Sequence, residues 1–557
     1  MSRNKRWIAL GFIFVSAIFF IGIRVGLYYR ALYKSAINYA RISVSPEDEP
    51  LLQIKPCKAD NTDSETIFLF LPDSKRRYTW KIPSDIRLFI DGEQCNTGEI
   101  LVDSMKEEEH LFAIEKDGEF KDVRNIIYIY ADNIPAIAAY VNEDELEIIE
   151  DEGVPMAKAS ARMVIMEGDK TESLSCEFGG HGSSSWEMGW KRSYEFECLS
   201  PLSLLGMGKY AKWNLISNNM DRSLVKNRIV YEAAASTDYE FSIRCEYVNY
   251  YLNGVYQGLY LLTEKPNVNG GEIAFSDDLE AENELLDPRI LYRSITNDET
   301  ERDSYRYYDI GKSPPNISGS YLMEFDGWYD EPDAWFRTST IAISGEPYYV
   351  MLKEPRFASK KELLYIRDYV RETEDALYSE NGIDTNTGID FRDRMDCYSW
   401  AMSYLFMDFF GYQDASGGSL FFYKKRDDPK LYSGPIWDYD KSMTDDFYES
   451  DFSWNDRASL YLWYERMGQF EDIHRMIEDN YKKELSPAME EILRNKLPAW
   501  MEEMSSSARM DDIRYNRGNE YAMDHAKLVQ EWLTLRKELF DSVWIRGEDS
   551  PYAENIF

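Results

Sequence analysis

Two patterns of apolar and polar positions divide the chain. Between Leu51 and about Val141, short β-type runs recur: TIFLFL (Thr66–Leu71), IRLFI (Ile86–Ile90), EEHLFAI (Glu108–Ile114) and NIIYIYA (Asn125–Ala131). Turn pairs such as Asp91–Gly92 and Asp117–Gly118 separate them, the pattern of a small β-sandwich. Strands continue with ARMVIME (Ala161–Glu167), SLSCEF (Ser173–Phe178) and KRSYEFE (Lys191–Glu197), the last two joined by the loop GGHGSSSW (Gly179–Trp186). Cys245–Lys265, CEYVNYYLNGVYQGLYLLTEK, predicts a hairpin on an Asn253–Gly254 type I′ turn. Just before it, apolar Leu224, Val225, Ile229, Val230 and Ala233 predict a helix over Leu224–Ser236 with Ser223 as its cap.

After this hairpin the pattern changes. Glu272 to about Ser318 is polar, acidic and poor in core residues, as in an exposed loop, and SYLMEFD (Ser320–Asp326) is one more strand. From Pro355 onward helical spacing prevails. Ser359–Ser379 opens on a Ser359/Glu362 capping box, Phe391–Gly411 is apolar enough to be buried, and about Arg457 to Trp544 is helical.

The opposite end holds an uncharged apolar run, Trp7–Ile23, flanked by Arg3, Lys5 and Arg6 and by Arg24, Arg30 and Lys34. Such a run is just long enough to cross a hydrocarbon layer of about 30 Å. It predicts an uncleaved signal anchor, because bulky and basic residues occupy the stretch where a small-x-small cleavage site would fall. Basic residues on both sides leave orientation weakly determined, and the N-in, C-out form is the expectation.

Composition narrows the function classes. A 44% hydrophobic and 15% aromatic chain of 557 residues has ample core for several domains. Its formal charge of −37 argues against a nucleic-acid partner and fits a basic substrate or a metal-bridged anionic one, or a solubility trait with no bearing on function. Six cysteines show no CxxC spacing, and four histidines lie scattered, so neither a zinc site nor a hydrolase triad is expected. Cys57–Cys95 and Cys176–Cys198 are candidate disulfides if the chain is exported, with buried free thiols the alternative.

Candidate chemistry concentrates in Tyr412–Asp440, YQDASGGSLFFYKKRDDPKLYSGPIWDYD. Asp414 stands in a Gly/Ser-rich loop, Leu420–Tyr423 reads as a strand, and Asp438 and Asp440 follow a second apolar stretch. Two loop carboxylates brought together by one turn suit a magnesium-dependent phosphoryl-transfer site; a calcium loop or plain solvated turns suit them too. The Gly179–Trp186 loop can likewise bring backbone N–H groups to phosphate or serve as an ordinary hairpin connection.

In order along the chain, GHGSSSW, KRSYEF, LLGMGKYAKWNLISNNMDRSLVKNRIVYEAA (Leu204–Ala234), LNGVYQGLYLLTEK, SYLMEFD and GPIWDYDKSM (Gly434–Met443) resemble the CotH family, spore-coat-type protein kinases of an atypical, minimal kinase fold. The resemblance spans about Pro135 to Trp500. It implies ATP and Mg2+ as cofactors, with Gly180, Gly182, Ser183, Ser184, Lys191 and Arg192 contacting the nucleotide and Lys191 pairing with Glu232. Asp414 would be the catalytic carboxylate, with Asp408 a weaker candidate, and Asp438, Ser419 and Asp440 would hold the metal. The chain departs from the family at His181 and Ser183, where Arg and Asn are typical, and at Ser419, where an amide is expected; serine is the weaker metal ligand.

The expected fold class is α+β: a membrane-anchored chain with an N-terminal β-sandwich, then a two-lobed, atypical protein-kinase-like domain with a helical C-terminal part. Its boundaries are 1–30 for the cytoplasmic tip and anchor, 31–50 for a linker, 51–141 for the β module, 142–500 for the kinase-like domain and 501–557 for a helical extension. Within the kinase-like domain the N-lobe covers about 155–265 and the C-lobe about 320–500. The implied function is transfer of the ATP γ-phosphate to Ser or Thr of a cell-envelope or spore-coat protein, by an enzyme held at the cell membrane with most of its chain outside the cytoplasm. A non-catalytic envelope scaffold, with a carbohydrate- or protein-binding β module, is the alternative.

Overall fold

A computed structural model describes residues 39–548 except 61–65, 102–106, 132, 152–156, 183–185, 187–189, 267–277, 300–302, 327–332, 342–346, 413–417, 444–461 and 518–520. The expected anchor, Trp7–Ile23, lies outside the described residues. Among those described, no helix is long and apolar enough to cross a membrane.

The chain begins with β1 (Ser43–Pro46), β2 (Thr66–Leu71), β3 (Tyr78–Lys81), β4 (Arg87–Ile90), β5 (Glu93–Cys95), β6 (His110–Lys116) and β7 (Glu119–Tyr130). β1 and β3 form a two-stranded ribbon, while the others make one sheet in the order β2-β7-β6-β4-β5. Asp117 and Gly118, both in the left-handed region, turn β6 into β7 as their sequence predicts. This is not the expected sandwich of two comparable sheets. The core of Leu69, Leu88, Phe112 and Ile126 is closed by Val44 and Trp80 from the ribbon side, and by Ala136, Val164, Met166 and Tyr251 from the next unit.

That unit is a closed barrel of β8 (Ala136–Val141), β9 (Lys158–Glu167), β10 (Lys170–His181), β11 (Ser193–Ser203), β12 (Lys209–Ile216), β13 (Cys245–Leu252) and β14 (Val255–Glu264). Period-two alternation explains how one strand serves two cores. Ile137, Ala139, Met163 and Ile165 join the cluster of Phe178, Phe196 and Trp213, whereas their neighbours Ala136, Ala138, Val164 and Met166 join the five-stranded sheet. β8, expected in the 51–141 module, therefore belongs to the barrel, where it pairs with β9 and, in parallel, with β13. Asn253 and Gly254 both take positive φ in the β13–β14 hairpin, as expected. Cys176 and Cys198 are register partners across β10–β11, but all six cysteines are free, so neither candidate disulfide is formed.

The remaining strands, β15 (Ile295–Glu299), β16 (Ser304–Tyr308), β17 (Tyr321–Asp326), β18 (Trp335–Ile341), β19 (Pro347–Glu354), β20 (Leu420–Lys424) and β21 (Leu431–Ser433), form a second large sheet. Their order is β15-β16-β18-β19-β17-β20-β21. The stretch 272–318, read as exposed loop, thus supplies β15 and β16 together with a helix, Leu279–Leu286, capped by Asp278. The Ser359 capping box opens the helix Lys360–Tyr378 as expected. Phe391–Gly411 is two helices, Phe391–Arg394 and Cys397–Phe409, because Met395 bridges to Leu431 and the Asp396 side chain caps a new start. Helices resume at Leu462 and run, with breaks after Gly468 and after Arg514, to Ile545. The fold is α+β.

Candidate active site

The helix Lys226–Ala235 lies between the barrel and the Tyr412–Asp440 stretch. Ser223 does not cap it directly; Asp221 does, accepting from the N–H groups of Ser223 and Lys226 at 2.9 Å each. Asn227 and Tyr231, one turn apart, share a face and meet the WDYD segment. The Asn227 amide oxygen accepts from Tyr439 N–H at 2.8 Å, and Tyr231 stacks on Trp437 with ring centroids 5.9 Å apart. Burial, then the nearby charge of Asp438, lifts the Tyr231 phenol well above its usual pKa. Glu232 is one position further round and faces elsewhere: it pairs with Lys496.

At the acidic end, Ser419 Oγ donates to Asp438 Oδ2 at 3.2 Å. Both residues take left-handed backbone, φ 64° and 63°. Each non-glycine residue in that region carries a cost of roughly 1–2 kcal/mol. For Ser419 this is offset by its N–H, which donates to Glu324 Oε1 at 2.5 Å, a charge-assisted bond worth roughly 1.5–3 kcal/mol. A small cavity beside Ser419 is lined also by Tyr412, Pro435, Trp437 and Tyr439. Asp414 lies outside the described residues. Asp408, its expected rival, is buried on the helix Cys397–Phe409, with its carbonyl accepting from Arg536.

The glycine-rich stretch is brought to the same place. Gly179–His181 is the end of β10 rather than loop, and the His181 ring stands edge-on to Trp437 at 6.2 Å. Gly180 is required where it stands, since a Cβ would come within 2.8 Å of the Trp186 ring. Arg192 lies over that same ring, 4.6 Å from its centre, and donates to the Glu150 carbonyl at 3.1 Å. Gly182 follows with φ 91°, while Ser183 and Ser184 lie outside the described residues. Burial opposes ionisation of Glu195, yet His181, Lys265 and Lys158 together hold its carboxyl well below the usual range.

Lys191 corrects the expectation most sharply. Its amine donates to Leu259 O and to Asp511 Oδ1, each at 2.6 Å, inside a fully buried pocket walled by Tyr260 and Tyr515. It does not pair with Glu232. The cause is positional: Asp511 comes from the helix Leu497–Arg514, which packs on β14, and Gly258 leaves room for it. A Cβ at Gly258 would lie 2.3 Å from Asp511 Oδ1. Burial pushes the lysine pKa down to about 8 despite the carboxylate beside it.

The family model described as CotH kinase protein matches residues 179–539, well over half of the 557. The chain belongs to the CotH kinase family. No curated protein matches it. The CotH match begins at the glycine end of β10 and reaches past Asp511, so most of the helical stretch expected as an extension, 501–557, is part of the family region.

Fit to magnesium can be judged from the donors. Ser419 Oγ and Asp438 Oδ2, 3.2 Å apart, are hard oxygen donors near the spacing of adjacent ligands on an octahedral magnesium, about 3.0 Å for bonds of about 2.1 Å. Among the described residues no three or more His, Cys, Asp or Glu side chains are grouped to hold a metal. Magnesium commonly takes only one or two protein carboxylates and completes its shell with phosphate and water. Sequence reasoning missed Glu324 and Asn227, which hold Ser419 and Tyr439, and Asp511, which holds Lys191. A signal existed for Glu324, which with Asp326 places two acids on one face of an apolar strand. For Asp511 there was none.

Proposed function

We propose that this CotH protein is an ATP- and Mg2+-dependent atypical protein kinase that phosphorylates Ser or Thr of a cell-envelope or spore-coat protein. The observation carrying this reading is the meeting of Ser419 and Asp438, both in left-handed backbone, with the glycine end of β10 through Trp437 and His181. Strained backbone at a polar cluster is characteristic of functional loops. Asp438 and Ser419 would hold magnesium, with Asp440 as second ligand. The ion, when bound, would neutralise charge on the phosphates. Backbone N–H groups around Gly180–Gly182, with Ser183 and Ser184, would receive the phosphates, and Arg192 would be the basic residue that joins them. Asp414 takes the proton of the substrate hydroxyl as its oxygen bonds to the γ-phosphorus and the bond to the bridging oxygen of ADP breaks. The net charge of −37 favours a basic substrate segment. Trp7–Ile23 would tether the enzyme to the cell membrane, and the barrel and the second sheet would be its two lobes.

Two observations favour a second reading, a scaffold that lacks transfer: Lys191 is sequestered, and Ser419 stands where the family has an amide. The test is incubation of the full chain in detergent with γ-labelled ATP and Mg2+, comparing wild type with Asp414→Ala and Asp438→Ala. Label on wild type that both variants lose supports the kinase. Absence of label, with no ATP binding by calorimetry, refutes it.

A further inference from the structure

We propose that Glu324 is a positioning residue of this site, setting the backbone from which Ser419 faces Asp438; the inference rests on reading Ser419 and Asp438 as the metal-holding pair. β17 lies between β19 and β20, and its ladder with β20 ends at Phe325↔Leu420. One residue earlier in β20's direction, Ser419 has left the extended conformation, so its N–H turns to the Glu324 side chain instead of continuing along β17. Gly418 precedes it with φ 146°, and its Cβ position lies 3.5 Å from Glu324 Oε1 and 3.6 Å from Asp326 Oδ1. The chain therefore passes over both acids of the strand just before presenting the Ser419 hydroxyl to Asp438.

Glu324 is itself fixed. It is buried, and while Oε1 accepts from Ser419, Oε2 meets Lys353 Nζ at 2.9 Å on the neighbouring strand β19. Lys353 is in turn 3.7 Å from Asp333, which also pairs with Arg356 at 3.1 Å. The ammonium compensates the Glu324 charge, so the carboxylate can orient the backbone without adding a net negative charge beside the phosphates. Both of its oxygens are in use, and that decides the choice of variant. In Glu324→Gln only one atom of the amide accepts, so either the Ser419 bond or the Lys353 contact is lost at constant volume.

The test measures Mg2+-dependent binding of a fluorescent ATP analogue to the full chain, with the analogue's affinity in EDTA and the thermal midpoint recorded in parallel. Loss of an orienting partner of a metal ligand typically weakens metal affinity by about 10–100-fold. Glu324→Ala is expected to raise the half-saturating Mg2+ concentration about tenfold, and Glu324→Gln and Lys353→Met by smaller factors in the same direction. Affinity in EDTA should stay within about twofold, which a general loosening of the fold would not allow. If Asp438→Ala abolishes the Mg2+ dependence while folded Glu324→Gln and Lys353→Met leave the half-saturating Mg2+ concentration unchanged, the positioning role is overturned and the kinase reading stands. If wild type itself shows no Mg2+-dependent binding, both fall.

Discussion

Replacing Asp511 by alanine asks why a helix near the end of the chain is locked into the barrel. The carboxylate is fully buried and accepts from Lys191 Nζ at 2.6 Å and from Leu259 N–H at 2.9 Å, with Arg517 Nη2 at 3.1 Å. Its removal strands the Leu259 amide, a loss of roughly 1–3 kcal/mol for a buried donor left unsatisfied. Lys191 has an escape: with its pKa already pushed down to about 8 by burial, it sheds its proton when the carboxylate is gone. Lowering that value past neutrality costs about 1 kcal/mol more at pH 7, because one unit corresponds to ~1.4 kcal/mol. The expected destabilisation is about 2–4 kcal/mol, overlapping the 3–5 typical of breaking a buried pair. Local opening of the helix Leu497–Arg514, followed by hydrogen exchange with mass spectrometry and corrected for intrinsic rates, should rise roughly thirtyfold to several-hundredfold. Its pH dependence is a second check. The folded pKa of Lys191 lies below its ordinary 10.5, so the stability it contributes is present above 10.5 and lost as pH falls through about 8. In Asp511→Ala that loss moves below pH 7, so the variant should still gain protection between pH 7 and 8 while wild type is level. A change under about threefold in a folded variant, less than 1 kcal/mol, would refute the reasoning.

Two further outcomes follow from neighbouring groups. Glu232→Ala removes a partly exposed ion pair with Lys496, so the thermal midpoint should fall by the equivalent of less than about 1 kcal/mol and ATP-analogue affinity should hold within about twofold. A tenfold loss of affinity would return Glu232 to the site. Asp512, raised to about 6 chiefly by burial, accepts from Ala522 N–H at 3.2 Å. Its contribution to stability is present below pH 4 and lost as pH rises through about 6. Asp512→Asn keeps an acceptor without the charge, so it should raise the thermal midpoint at pH 7.5 by the equivalent of at most about 3 kcal/mol and leave it unchanged near pH 4; equal effects at both pH values would contradict this.

Local chemistry was legible where one short segment decides its own conformation. The Asn253–Gly254 turn, the Ser359/Glu362 capping box and the alternating strands of the barrel needed no distant partner, and the ordered motifs from Gly179 to Met443 pointed to the CotH family. The two ends of the site, His181 and Trp437, could be expected to meet only through that resemblance. What tertiary structure alone decided is which carboxylate each basic or backbone group finds. Lys191 meets Asp511, 320 residues away, because a C-terminal helix covers β14; Glu232 is turned one helical step from the face that carries Asn227 and Tyr231. Ser419, which stands where an amide is expected, is held by Glu324 from a strand 95 residues earlier. Helical and strand periodicity act over a few residues and can be read directly. The pairing of buried charges is set by which elements pack together, and in this chain that packing joins residues as far apart as Lys191 and Asp511.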